Sequence, residues 1–306
     1  MLKAWCTPLS ILLPLTAGSL MAAQDPPTRT IRTPELRRDA IVGVDIVPRP
    51  GERMEDGVIL LADGVIVAVG TDLEVPGGYR IHEREDMVVY PGLIEPALLV
   101  ESATEATTTA NEHGAHPNKN VVPQLDLSTR EDLLERDGAA LRGQGFCAAL
   151  ALPADRIIRG SGQVILLDEN SDRVRTPGGI RPQMIGLDSF GGWRSGYPGS
   201  SMGVVALIRQ SLLDARWHAQ CREIWESHPE GNEPPMDARA LDALEDAVTA
   251  REPVVIDATS EIRALRGAMI VDEFELDGIL LGSGTEFRRT REIAALDMPV
   301  LVPVAF

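Results

Sequence analysis

Few residues in this chain combine a reactive type with a useful spacing. His113 and His116 lie with Glu112 in a stretch rich in Thr, Asn, His and Pro. Three residues apart, they converge on one metal only on a helical turn, and Gly114 and Pro117 argue against a turn there. They read as ordinary loop histidines. His82, His218 and His228 have no partner at ligand spacing. Gly199-Ser200-Ser201-Met202-Gly203 fits the Gly-x-Ser-x-Gly pattern of a serine hydrolase. That pattern needs a strand directly before it, and residues 191–198 read as a loop. The competing reading is a helix N-cap at Ser200 or Ser201, with Gly203 allowing close packing. Amides at such a helix start suit an anion, but only generically. Arg159-Gly160-Ser161-Gly162 reads as a glycine-rich loop able to cradle an anion. Asp257 and Ser283 fall at or just after the ends of predicted strands, where they either cap loops or enter a site. Lys3 and Lys119 are the only lysines, so Lys119 is the one candidate for lysine chemistry in the folded body.

The elements that must position these residues follow from periodicity. Residues 40–47, 58–62 and 65–70 alternate as strands, and Asp63-Gly64 joins the last two as a tight hairpin. Two more short extended runs, 79–82 and 87–90, complete a small antiparallel β module. Beyond Pro91 strands and helices alternate. Residues 93–100 form an apolar run, 102–126 read as a long loop, 130–142 as a helix and 146–152 as a buried strand. Short apolar runs follow at 163–167 and 184–187. A long helix runs from Ser200 or Ser201 towards Trp225 with Val205, Ile208, Leu212, Ala215 and Ala219 on one stripe. A second helix, 237–249, carries Leu241, Leu244 and Val248. Then come strand 254–258, a helix over 261–274 with Ile262, Leu265 and Met269, strand 278–281, a helix over 287–296, and strand 300–304. Strands bounded by helices at this spacing predict βαβ units and a parallel sheet.

The first 23 residues read as a signal peptide: Lys3 supplies the positive start, 9–15 the densest apolar run, and Ala22 and Ala23 the small residues of a cleavage site. This predicts an exported protein. Pro14 and Gly18 interrupt a stretch already short for spanning a bilayer, and no later segment approaches a span. Residues 24–38 read as a mobile, polar, Pro-rich lead-in. Cleavage leaves Cys147, read as a buried small hydrophobe, and Cys221, in a helical pattern; whether they pair stays open. The chain has 306 residues, 44% apolar and 25% charged, which excludes disorder, collagen and a disulfide-framed miniprotein. A chain of this length buries about 75% of its unfolded surface, enough for a large core. A net charge of −17 argues against nucleic acid and anionic membranes as partners.

Asp56-Gly57-Val58-Ile59-Leu60-Leu61-Ala62-Asp63-Gly64-Val65-Ile66-Val67-Ala68-Val69-Gly70, followed by Val88-Val89-Tyr90-Pro91-Gly92-Leu93-Ile94-Glu95, resembles the start of the amidohydrolase superfamily. The similarity is to its imidazolonepropionase-like and dihydroorotase-like members. Tyr197-Pro198-Gly199-Ser200-Ser201-Met202-Gly203, Gly282-Ser283-Gly284-Thr285-Glu286-Phe287 and Pro299-Val300-Leu301-Val302-Pro303 resemble the divergent exported members. The resemblance implies a small β-sandwich, built from both chain ends, flanking a (β/α)8 barrel whose first strand opens at Pro91-Gly92. It also implies a hydrolase of non-peptide C–N bonds, in which a water activated by zinc or another divalent metal attacks a carbonyl carbon.

The resemblance breaks where that chemistry lies. Catalytic members carry His-x-His directly after this strand opening. Here Glu95-Pro96-Ala97-Leu98-Leu99 follows, so Ala97 and Leu99 stand at the ligand positions. Lys119, in a predicted loop, is a poor match for the family's metal-bridging lysine, and the predicted strands at 254, 278 and 300 contain no histidine. The family's aspartate on the eighth strand would lie beyond Phe306.

The expected fold is therefore α/β: a β-sandwich module over 39–90 and an incomplete (β/α)8 TIM-type barrel over 91–306. No metal, cofactor or catalytic residue is assigned, and the small-molecule ligand is unknown. Three functional readings follow: an exported amidohydrolase, a non-catalytic relative that keeps the scaffold for binding, or the front part of a longer protein. The last strand, Val300 to Val304, has no helix after it and is expected to self-associate or to need a further segment.

Overall fold

The computed structural model describes residues 37–127, 138–167, 180–188 and 196–302. The leader at 1–23, the lead-in up to 36, residues 130–137 of the expected 130–142 helix, and 303–306 lie outside the described residues. The chain divides into two compact units between Pro91 and Gly92.

In the first unit, β1 (Arg38–Arg49), β2 (Glu52–Ala62) and β3 (Val65–Gly70) form an antiparallel meander. Ala62 pairs with Val65 across the expected two-residue turn, where Asp63 and Gly64 have φ of 52° and 82°. Two successive positive φ values fit the right-handed twist of the flanking strands, and Asp-Gly adopts them at low cost. The later strands correct the sequence expectation. β4 (Arg80–Glu83) and β5 (Val88–Val89) lie parallel to β1, so the sheet is mixed rather than antiparallel. Alternation reports which face is buried, not which way a strand runs. Ala40, Val58 and Leu60 pack on one side of the sheet, and Val44, Ile46 and Ile59 pack together in a second cluster.

The second unit holds two sheets. In one, β6 (Leu93–Val100) pairs parallel with β7 (Phe146–Pro153), which pairs antiparallel with β9 (Gln163–Leu166). In the other the order is β13-β12-β11-β10-β8. Here β10 (Gln183–Gly186), β11 (Val254–Asp257), β12 (Gly278–Leu281) and β13 (Val300–Leu301) run parallel, and β8 (Ile158–Ser161) runs antiparallel to β10. The expected βαβ units are present: α5 (Glu261–Glu273) links β11 to β12, and α6 (Thr290–Ala294) links β12 to β13. The fold class is α/β. Among the described residues no ladder joins the two sheets.

Period-two alternation splits each strand between two layers. Val254, Ile256, Ile185 and Leu280 face a cluster built with α3 (Ser201–Ser227), α4 (Arg239–Val248) and α5. Met184, Val255, Leu281 and Leu152 face the other way, with Ala97, Leu150, Ile279 and Leu301 against them. This second cluster draws on both sheets, so they share one apolar interior. Burial on both faces explains why these strands read as continuous apolar runs.

Several expectations change in detail. The stretch 102–126, expected as a loop, contains α1 (Ala103–Thr109), whose Thr107 and Thr108 hydroxyls donate to carbonyls four residues back. Threonine-rich sequence hides such a helix, because threonine is a poor helix former. A short helix, α2 (Gly138–Gly143), precedes β7. Arg159-Gly160-Ser161 is a strand, β8, not a loop. Cys147 is exposed rather than buried, because the neighbour facing its side chain is Gly92, which has nothing to cover it. Both Cys147 and Cys221 are free thiols. On α3 the buried stripe is Val204, Leu207, Ile208, Ser211, Leu212, Ala215 and His218, turned slightly from the expected one.

The largest correction is on α5. Ile262 and Met269 are exposed, while Ala264, Gly267, Ala268, Ile270 and Val271 are buried. The helix presents its small residues because it lies close on the sheet. A Cβ on Gly267 would fall 2.5 Å from Ile256 Cγ2 and 3.1 Å from Leu187 Cδ1. Gly267→Val should therefore destabilise the fold by about 1–3 kcal/mol through overpacking. Met269→Ala on the exposed side should stay within about 0.5 kcal/mol of the parent. Urea melts of the two variants check this, and equal losses would place the buried face wrongly.

Candidate active site

Parallel α/β sheets place their sites at the carboxyl ends of the strands. Here that end of the inner layer is built by alternation. On β11, Val255 points inward, so Asp257 two residues on does as well. On β10, Met184 points inward, so the next inward position is Gly186. Gly186 leaves a space that Arg159 of β8 fills: a Cβ there would fall 2.2 Å from the guanidinium Nη2. Across this glycine, Arg159 Nη2 meets Asp257 Oδ2 at 2.8 Å. Its Nε donates to the Arg156 carbonyl at 2.9 Å. The Arg159 side chain is 3% exposed and that of Asp257 18%. Burying a cation this deeply requires such a partner, since either charge alone would be strongly disfavoured.

Three hydrogen-bonded groups lie beyond the ends of β7, β10 and β12. Asp155, after β7, accepts from the backbone N–H of Ser102 at 2.6 Å and from its hydroxyl at 3.3 Å, tying the ends of β7 and β6 together. The next residue, Arg156, has φ of 84°, a strained value for a residue with a side chain. Its Nη2 donates to Thr107 Oγ1 at 2.7 Å. After β10, Asp188 pairs with Arg263 at 2.8 Å, and Thr259 bonds both partners. After β12, Glu286 accepts from the Ser283 amide at 2.6 Å and from its hydroxyl at 3.0 Å. Burial pushes the Glu286 carboxyl up, but these donors prevail and hold it below the ordinary carboxylate value. Thr285 links Ser283 to Glu261, whose carboxyl is also held low by its own backbone amide and by Thr285.

The residues singled out from the sequence are placed as follows. Asp257 joins the buried ion pair, and Ser283 is a loop residue held by Glu286 and Thr285. Arg159 is not part of an anion-cradling loop, since its guanidinium serves Asp257. The Gly-x-Ser-x-Gly run is a helix cap: Ser200 Oγ accepts from the Gly203 amide at 3.2 Å. A Cβ on Gly203 would fall 3.0 Å from Pro198 Cβ, the close packing expected of it. The loop histidines do not converge. His113 faces Asp237 at 3.4 Å, His116 Nδ1 accepts from the Asn118 amide at 2.9 Å, and Glu112 pairs with Arg239. Burial lowers the His116 pKa, consistent with a neutral ring in that seat. His82 pairs with Asp39, and His218 Nε2 bonds the Met236 carbonyl.

A divalent metal at the strand ends does not fit the residues present. Ala97 packs into the inner apolar cluster, and neither it nor Leu99 carries a donor atom. Asp257 is already matched by a permanent cation, and Asp155, Asp188 and Glu286 are each held by donors of the chain itself. Among the described residues no group of three or more His, Cys, Asp or Glu side chains could hold a metal ion.

No protein-family profile matches the chain, and no characterised protein matches it by sequence. Its structure is similar to that of an amidohydrolase from Thermotoga maritima MSB8, with a TM-score of 0.70 and 17% identity over 86% of this chain and 69% of that one. A guanine deaminase from C. acetobutylicum aligns over 87% of this chain and 74% of its own, with a TM-score of 0.36 and 10% identity. A beta-aspartyl dipeptidase from Fervidobacterium islandicum AW-1 aligns over 85% and 69%, with a TM-score of 0.30 and 11% identity. The first likeness shows the fold; the other two are too loose to add to it.

The ion pair makes a specific prediction. Arg159→Met should cost about 1–3 kcal/mol, because Asp257, which keeps some access to water, loses its counter-charge. Adding Asp257→Leu should recover most of that loss, since an apolar pair suits the site as well as an ionic one. Denaturation of the two variants decides it: a double variant as unstable as the single one would mean that the pair does not act as a unit.

Proposed function

We propose that this chain is a divergent member of the amidohydrolase superfamily whose strand-end site binds a small polar molecule without a metal ion. The observation that carries this is the Arg159–Asp257 pair seated over Gly186. The inner carboxyl end holds an organic cation in a fixed position, while the family's ligand positions are filled by Ala97 and Leu99. The remaining polar groups there, Ser283 among them, are hydrogen-bond partners suited to orienting a ligand rather than ionising water.

The competing reading, a working hydrolase of non-peptide C–N bonds, rests on the shared fold with the Thermotoga protein, and fold alone does not establish activity. In support of the larger architecture we propose that β6 to β13 represent part of a (β/α)8 barrel, since the two sheets share one interior. Export is proposed from the signal-type leader, and mass determination of the processed chain tests it. Self-association is proposed at the β13 edge, where β12 is the one ladder partner among the described residues and Val302 is exposed. Light scattering of the purified chain reads it directly.

Metal content separates the two functional readings. After dialysis, elemental analysis of the purified chain should give well under one zinc, manganese or iron per molecule. A tightly held metal at about one per chain would overturn the metal-free reading and turn attention to Asp257 and the carboxylates beside it.

A further inference from the structure

We infer that the opposite, amino end of the parallel sheet carries a second binding site, one that takes a small uncharged molecule bearing a carboxamide. A cavity of about 460 Å³ lies there, lined by Gln183 at the start of β10, Ser161 at the end of β8, Gln124 and the face of α4. Its volume suits a small organic molecule.

The hydrogen-bonding state of its wall selects the ligand. Gln183 is 3% exposed, and its Nε2, a donor, has no partner. Gln124 Oε1, an acceptor, is likewise buried without a partner, while its Nε2 donates to the Thr109 carbonyl at 3.2 Å. Buried polar atoms are nearly always paired, so two deficits on residues that line one cavity point to a missing partner that the side chains would turn to meet. One donor and one acceptor match the carbonyl and N–H of an amide. The terminal torsion of glutamine is soft, so each group can turn to meet such a ligand.

Charge argues against an anion. Both wall arginines are already engaged, Arg181 with Asp126 at 2.6 Å and Arg239 with Glu112 at 3.1 Å. The same wall presents the carboxylates of Asp126, Asp242, Asp246 and Glu252. A carboxylate or phosphate would find no uncommitted arginine on this wall, where carboxylates outnumber arginines four to two.

The test uses the full chain and a matched pair of probes. N-acetylglycinamide carries two amides; N-acetylglycine has a carboxylate in place of the second. Titrations are followed on the glutamine side-chain amide signals by 1H–15N NMR, with Gln124→Met and Gln183→Met assigning the two resonances. The diamide should shift both signals saturably, the carboxylate should bind at least about tenfold more weakly, and Gln183→Met should weaken the diamide by a similar factor. The proposal fails if the diamide leaves both signals unmoved, if the two probes bind alike, or if a folded Gln183→Met variant binds as the parent does. Should that variant not fold, the probe comparison on the parent chain still decides. Metal content plays no part in this readout, so its outcome is independent of the reading of the carboxyl end.

Discussion

The second unit depends on strands that are buried on both faces. On β10, β11 and β12 each residue must satisfy either the helical layer or the shared interior, and the backbone must be paired sideways within the sheet. Such strands tolerate polar side chains only at their ends. Gln183 and Asp257 are polar residues at the two ends of the pair β10 and β11, and Val255, Ile256, Met184 and Ile185 fill the positions between. The two candidate sites are therefore at opposite ends of the same sheet for one reason: nowhere between them can polar chemistry be accommodated.

Gly186 is the position through which this constraint becomes a site. An inward side chain there would occupy the volume of the Arg159 guanidinium, so the ion pair needs a residue without a Cβ. The antiparallel direction of β8 also matters. It brings the start of that strand, where Arg159 lies, to the carboxyl end of β10, whereas a parallel strand would carry it to the other end. A cation delivered by backbone topology costs no binding step and cannot dissociate, unlike a metal ion.

What was legible in the sequence follows the physics of each signal. Asp63-Gly64 encodes a local turn geometry, so the hairpin could be read directly. The alternation of apolar runs with helical patterns from Val254 onward encodes βαβ units within a few residues of their true bounds. The direction of β4 and β5 could not be read, because it depends on where the chain returns after β3 and not on which residues it carries. The buried face of α5 departs from the periodic one because close helix–sheet packing selects Gly267, Ala264 and Ala268, while hydrophobic periodicity weights Ile262 and Met269. β8 leaves no strand signal, because Arg159-Gly160-Ser161 lacks an apolar run. The pairing of Arg159 with Asp257 joins positions 98 residues apart and left no local trace. The run around Ala97 and Leu99 shows a further limit: residue identity is plain in the sequence, but the register shift between Glu95 and Leu98 against β7 leaves no trace in it.

An apolar residue at position 97 suits a stable fold. Paired histidines facing an apolar interior are costly unless a metal or hydrogen bonds satisfy them. Ala97 instead joins Leu150, Leu152, Met184 and Val255 in the inner cluster, so the position contributes to packing. The same logic applies at the strand ends. A lone Asp257 would be a buried charge in search of a cation, and Arg159 supplies one within the chain. With the guanidinium in place, a single histidine at this end would bring no gain, because a metal needs several donors together and the cation already present would repel it. The pair is thus cooperative: the guanidinium and the carboxylate each offset the cost of the other, and removing either leaves its partner without a counter-charge.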